Sequence, residues 1–256
     1  MNPFGIAAML FVGATLGLLG SGGSVLTVPI LVYAFGMGMP QATGYSLLLV
    51  GVTSLAGAWA NWRRKLVSLR ITAWFAIPSL ISVYATRAFV VPHLPASVER
   101  FLLLAFAALM VAAALAMIRR RPIAANLTGA DCSCPALMAE GFVVGIVAGF
   151  LGAGGGFLIV PALVLLGRLP MPLAIGTSLT IITVQSLVGF AGAYQSGMTL
   201  NGPLVAVLLA SAVVGMVIGL LLSLRIAARQ LRTAFGWFLL VAGVVIAVRE
   251  LLDSSH

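Results

Sequence analysis

The sequence predicts an all-α integral membrane protein. Eight hydrophobic segments form two inverted four-segment repeats, and the first segment of each repeat is broken or re-entrant at a Gly-rich loop. Three observations lead there. Hydrophobic residues make up 62% of the 256 residues and charged residues only 7%, with a mean hydropathy of +1.19, which excludes an ordinary soluble domain. Residues 13–32, GATLGLLGSGGSVLTVPILV, recur 132 positions later as GIVAGFLGAGGGFLIVPALV at 145–164. Carried on to residue 57, the offset gives 21 identities in 45 positions. Finally, the basic loops change places between the two copies.

At roughly 20 apolar residues per crossing, the segments fall near 4–35, 42–60, 71–91, 101–118, 138–167, 173–194, 203–224 and 233–249. None alternates like a strand, and backbone groups in lipid must be satisfied internally, so the spans are expected to be helices. Repeat one covers 1–118, a central cytoplasmic loop 119–137, and repeat two 138–256. The opening MNPFG has no Lys or Arg and its segment recurs in the second copy, so it reads as mature structure rather than a signal peptide.

A net charge of +9 in such a chain marks cytoplasmic loops rather than a nucleic-acid surface, and no nucleic-acid partner is expected. The loop after the second segment carries Arg63, Arg64, Lys65 and Arg70, whereas its counterpart, QSGMTLNG, carries no charge. The loop after the seventh carries Arg225, Arg229 and Arg232, against Arg87 and Arg100, with Glu99, in its twin. If the long segments 4–35 and 138–167 each enter and leave on one side, 11 basic residues lie inside and only Arg87, Arg100 and Arg249 outside. Eight simple crossings would split them about 8 to 6, which is no bias. The inverted arrangement, with both termini outside, is the reading adopted.

The 32-residue segment 4–35 is long for one crossing unless strongly tilted. GSGGS at 20–24 and GAGGG at 152–156 divide each long segment into pieces that reach only partway across. Irregular backbone at membrane depth requires protein or a water-filled cavity around it, which two hairpins meeting near the midplane would supply. A helix starting after each cluster offers free N–H groups and the positive end of its dipole to a small anion. Gly20, Ser21, Gly22, Gly23 and Ser24 in one copy, with Gly152, Ala153, Gly154, Gly155 and Gly156 in the other, are therefore candidate substrate-binding residues. Gly13, Gly17, Gly145 and Gly149 are expected only to let helices pack closely.

The next helix of each copy opens with PQATGYSL at 40–47 and PLAIGTSL at 172–179, which adds Ser46, Thr177 and Ser178, and Gln185 farther along, as uncharged polar groups for an anion. Ser54 and Ser186 either join them or bond back to their own helices.

The GxGGGxLxVPxL-like stretch followed by an AxGTSL-like stretch, present in both halves, resembles the sulfite exporter TauE/SafE family of bacterial membrane transporters. The later portion GLLLSLRIAARQLRTAFGWFLL is similar to that family's basic turn and small-residue helix. Copy one departs from the family pattern at Ser24, where a third glycine is favoured, and at Tyr45, where Thr is favoured. Those changes leave the fold reading intact and bear on the symmetry of the binding site. The resemblance implies a multi-pass protein of the bacterial inner (cell) membrane that transports sulfite, organosulfonates such as sulfoacetate, or related small sulfur oxyanions, usually outward. A gated small-anion channel, and an importer of a related anion such as thiosulfate, stay open as alternatives.

The partners expected are a small anionic substrate and the lipid bilayer; a homodimer stays open. No cofactor, metal site or catalytic group is expected. Cys132 and Cys134 lack accompanying histidines, and His93 and His256 lie in a loop and at the tail. Glu99, Asp131, Glu140, Glu250 and Asp253 are read as lying clear of the span interiors, which argues against a carboxylate proton relay. Trp59, Trp62, Trp74 and Trp237 near span ends are expected to anchor at the interface.

Overall fold

A computed structural model of the chain describes residues 3–21, 23–86, 108, 110–119, 134–151, 156, 158–165, 167, 169–195, 198 and 200–252. All regular structure among them is helical. The helices are α1 (Pro3–Leu19), α2 (Gly23–Phe35), α3 (Met39–Arg63) and α4 (Leu69–Ala85), then α5 (Met110–Arg119), and then α6 (Cys134–Leu151), α7 (Ile159–Leu165), α8 (Met171–Gln195), α9 (Gly202–Ser223) and α10 (Ala228–Leu252). The offset of 132 pairs α1 to α5 with α6 to α10. By length and composition alone, three helices can cross a membrane: Gln41–Arg63 within α3, α8 and α9.

The first segment is broken where the glycines are. α1 stops at Leu19, Gly20 turns the chain with φ +84°, and α2 starts at Gly23. A positive φ is costly for any residue with a Cβ, so Gly20 is required there. The two arms then run back along each other: Gly5 at the start of α1 lies against the Phe35 ring at the end of α2, and Gly23 against the Val12 carbonyl. In the second copy α6 extends to Leu151 and α7 starts at Ile159, and Gly152 to Gly155 fall outside the described residues.

Glycines set the packing of each first arm. Gly13 and Gly17 lie against the α9 backbone at Ala212, Met216 and Gly219, while Gly215 and Gly219 of α9 lie against Leu10 and Ala14. In the other copy Gly141 meets Phe75, and Gly145 meets Ser79 and Ser82, on α4. Each first arm thus packs on the third-segment helix of the opposite copy. In lipid there is little hydrophobic drive between helices, so close backbone approach across small residues holds such seams together.

At the centre α3 and its twin α8 cross antiparallel. Gly44 faces Ala193, Leu47 faces Gly189, Gly51 faces Ser186 and Leu187, Gly57 faces Leu179, and Asn61 faces Gly176. The fourth-segment twins also meet, with Gly236 of α10 against Ala114 and Ile118, and Arg232 Nε donating to the Met117 carbonyl at 2.8 Å.

Polar and apolar groups are distributed as lipid demands. Ser46, Ser54, Ser79, Thr177 and Ser178 are fully buried, while Ile77, Ile81 and Tyr84 of α4 and Val241 and Val245 of α10 face outward. An apolar exterior this extensive belongs against lipid tails. Trp59, Trp62, Trp74 and Trp237 are on that exterior, and the Arg63 guanidinium sits 5.9 Å from the Trp59 ring at the end of α3.

Candidate functional site

The first glycine loop is closed by short bonds. Gly20 N donates to the Leu16 carbonyl at 2.8 Å, finishing α1. The Ser21 carbonyl accepts from Ser24 Oγ at 2.8 Å and, at a long 3.4 Å, from Ser24 N. Both serines are buried, and Ser21 Oγ has no hydrogen-bond partner among the described residues. A buried hydroxyl without a partner is costly, so it marks a place where another polar group belongs.

One face of α8 runs beneath Gly20 and Gly156. Gly20 lies over Ile175 and Ser178, where a Cβ would sit 3.0 Å from Ser178 Oγ, and Gly156 lies over Ile182. Residues 175, 178 and 182 follow the i, i+3, i+7 spacing of one helix face. Gly156 also meets the start of α2, since a Cβ on it would sit 3.4 Å from Ser24 Oγ. Ser24 and Gly156 are equivalent positions of the duplication.

The remaining candidates fall into two groups. Ser46 Oγ, and Ser54 Oγ farther along α3, are buried without a partner among the described residues. Ser54 does not bond back to its helix, whereas Thr53 does, donating to the Leu49 carbonyl at 2.6 Å. The other group already has partners. Ser178 Oγ donates to the Ile175 carbonyl at 2.9 Å, Gln185 Nε2 donates to Ser79 Oγ at 2.6 Å, and Thr177 Oγ1 accepts from Ser68 N at 3.2 Å. Gly22, Gly152, Ala153, Gly154 and Gly155 are outside the described residues.

Thr177 has a twin that the sequence reading did not place. Ser68 is the N-cap of α4 and Asn201 that of α9, their side chains accepting from Ile71 N and Leu204 N. Their own backbone N–H groups donate to Thr177 Oγ1 and, at 2.6 Å, to Tyr45 Oη. Positions 45 and 177 thus perform the same tether in both copies, and the Tyr-for-Thr departure preserves it. The only signal in the sequence was the N-cap residue type at 68 and 201.

The helix carrying Glu140 starts ahead of the apolar run. α6 begins at Cys134, four residues before the apolar run at 138, with Pro135 in its first turn as suits a helix start. Glu140 is consequently the seventh residue of the helix, and its Oε2 is buried with no partner among the described residues. Asp131, Glu99, Asp253 and Cys132 are outside the described residues. Among those described, no group of three or more His, Cys, Asp or Glu could hold a metal.

Buried hydroxyls and turn backbone at a break between apolar helices offer hydrogen bonds without fixed charge, which is the equipment of a membrane transporter for a small polar solute. The comparisons agree. Residues 5–246 match the model of the sulfite exporter TauE/SafE family, and the chain belongs to that family. It is 31% identical to a probable membrane transporter protein of Xylella fastidiosa, over 93% of this chain and 92% of that protein. It is 29% identical to the probable membrane transporter protein YjnA of Bacillus subtilis, over 92% and 95%, and 27% identical to a probable membrane transporter protein of Methanocaldococcus jannaschii, over 71% and 69%. No solved structure matches.

Proposed function

We propose that the protein moves sulfite, an organosulfonate or a related small sulfur oxyanion across the cell membrane, outward, binding it between the two glycine loops. The observation that carries this reading is the meeting of Ser24 and Gly156 above one face of α8, beside a buried Ser21 hydroxyl without a partner among the described residues. An oxyanion there takes hydrogen bonds from Ser21 and from the first turn of α2, whose N–H groups lack intrahelical acceptors. Ser46 serves from α3, and Ser24, Thr177, Ser178 and Gln185 frame the site. With no fixed charge, binding is weak enough to allow release. An interior-negative potential favours outward movement by about 2.3 kcal/mol per charge per 100 mV.

The two copies are proposed to lie in opposite membrane orientations. Supporting this, α3 and α8 are equivalent, long enough to cross, and antiparallel. A twofold axis relating antiparallel spanning helices lies in the membrane plane. The alternation of basic loops argues the same way.

The test is counterflow of labelled sulfite in proteoliposomes. Internal unlabelled sulfite should accelerate entry of label, with saturation. Flux that neither saturates nor shows counterflow would make the protein a channel.

A further inference from the structure

Glu140 belongs to no part of the site above. The buried stripe of α6 runs through Leu137, Gly141, Val144 and Gly145, and Glu140 is half-buried on its flank. The next residue, Gly141, is pressed against the Phe75 backbone, so Glu140 flanks the close-packed α4–α6 seam. Its Oε2 is fully buried with no hydrogen-bond partner among the described residues. Along the parallel register that sets Gly141 beside Phe75 and Gly145 beside Ser79, Glu140 is level with Trp74. The titratable groups on α4 are Arg70, one turn nearer the helix start and engaged in an interaction of its own, and Tyr84 near the far end; α7 has none. On α6 itself only Cys134 could titrate besides Glu140.

The duplication supplies an internal control. The equivalent position in the first copy is Ala8, which lines an apolar cleft between α1 and α2 with Pro29, Ile30 and Tyr33. A first arm and its hairpin therefore form with a methyl group at this position, so folding does not require a carboxyl there. Ionisable groups inside membrane segments are costly and are kept where they do work.

We infer that Glu140 is a proton-binding site of the transport cycle. The carboxylate takes up one proton from water on one side, moves as a neutral carboxyl while α6 shifts against α4, and releases the proton to water on the other side. Anion flux is thereby tied to the pH gradient. The inference rests on the transporter reading.

The experiment measures sulfite flux in proteoliposomes of the full chain, with and without an imposed pH gradient, for wild type, Glu140→Gln and Glu140→Asp. Titration of sulfite itself is common to all three and cancels in the comparison. Wild type should respond to the gradient. Glu140→Gln should retain counterflow but lose that extra response, and Glu140→Asp should keep it with a displaced pH midpoint. A Glu140→Gln protein that responds as wild type does overturns the inference. Where Glu140→Gln fails to assemble, Glu140→Asp decides: a displaced midpoint supports the inference and a coincident one overturns it. If wild type carries no sulfite under any condition, the transporter reading fails first and this inference with it; if wild type transports and all three respond alike, only the role of Glu140 fails.

Discussion

Ser24 and Gly156, 132 positions apart and equivalent in the duplication, face each other, so that a Cβ at Gly156 would sit 3.4 Å from Ser24 Oγ. Equivalent positions of the duplication are thereby brought together, with Gly156 set against the start of α2. The equivalent helices α3 and α8 likewise meet each other, with Gly51 facing Ser186 near the middle of their crossing. Substitution at Ser24 and retention of glycine at 156 give this contact a hydroxyl from one side only.

The unpartnered hydroxyls should separate affinity from stability. Removing a buried hydroxyl that lacks a partner is neutral or stabilising, so Ser21→Ala and Ser46→Ala should leave the melting temperature unchanged or raised. Each should weaken sulfite binding about tenfold, the effect of losing one hydrogen bond to a charged ligand. Thermal unfolding and equilibrium binding on the same samples check both halves.

Tyr45 and Thr177 should behave in the opposite way. Tyr45→Phe leaves the Asn201 N–H, and Thr177→Val the Ser68 N–H, without its acceptor. Because both N–H groups are only part-buried, each substitution should cost about 0.5–1.5 kcal/mol of stability, the net worth of one hydrogen bond. Sulfite affinity should change little for Tyr45→Phe, which lies outside the proposed site, as thermal unfolding and binding titrations would report.

The α1–α9 seam should tolerate no added bulk. A methyl group at Gly17 meets the Met216 carbonyl, and one at Gly219 the Ala14 carbonyl, both backbone atoms that cannot rotate away. Gly17→Ala and Gly219→Ala should each destabilise by about 1–3 kcal/mol. Gly192→Ala, with nothing within 4 Å of the added atom, provides the comparison by thermal unfolding.

Topology is open to labelling. Because α3 and α8 are antiparallel, Lys65 just beyond α3 and Gln195 at the end of α8 are at opposite ends of the pair. Single cysteines at these positions should react with an impermeant maleimide from opposite faces of the membrane. Reaction from one face would contradict opposed orientations.

Much of this architecture was readable from the chain because its signals are local. The break at Gly20 follows from a glycine cluster inside an apolar run, and the hairpin from the length that run leaves on each side. The tethers of Tyr45 to Asn201 and Thr177 to Ser68 join residues 156 and 109 positions apart. No local pattern reports such pairs. Hydropathy sets the apolar run at 138 but not the helix start, which Pro135 allows at Cys134. Whether Ser54 bonds to its own helix depends on its rotamer, which tertiary packing sets; Thr53 beside it adopts the alternative.

The central claim, that the anion passes between the two loops, is tested most directly by labelled sulfite counterflow in proteoliposomes containing Gly156→Leu. Its side chain would crowd Ser24 and Ile182, which a bare Cβ already meets at 3.4 and 3.1 Å. The account predicts counterflow lost by at least about tenfold in a protein that assembles and unfolds like wild type. Counterflow at the wild-type rate in that folded variant would contradict it.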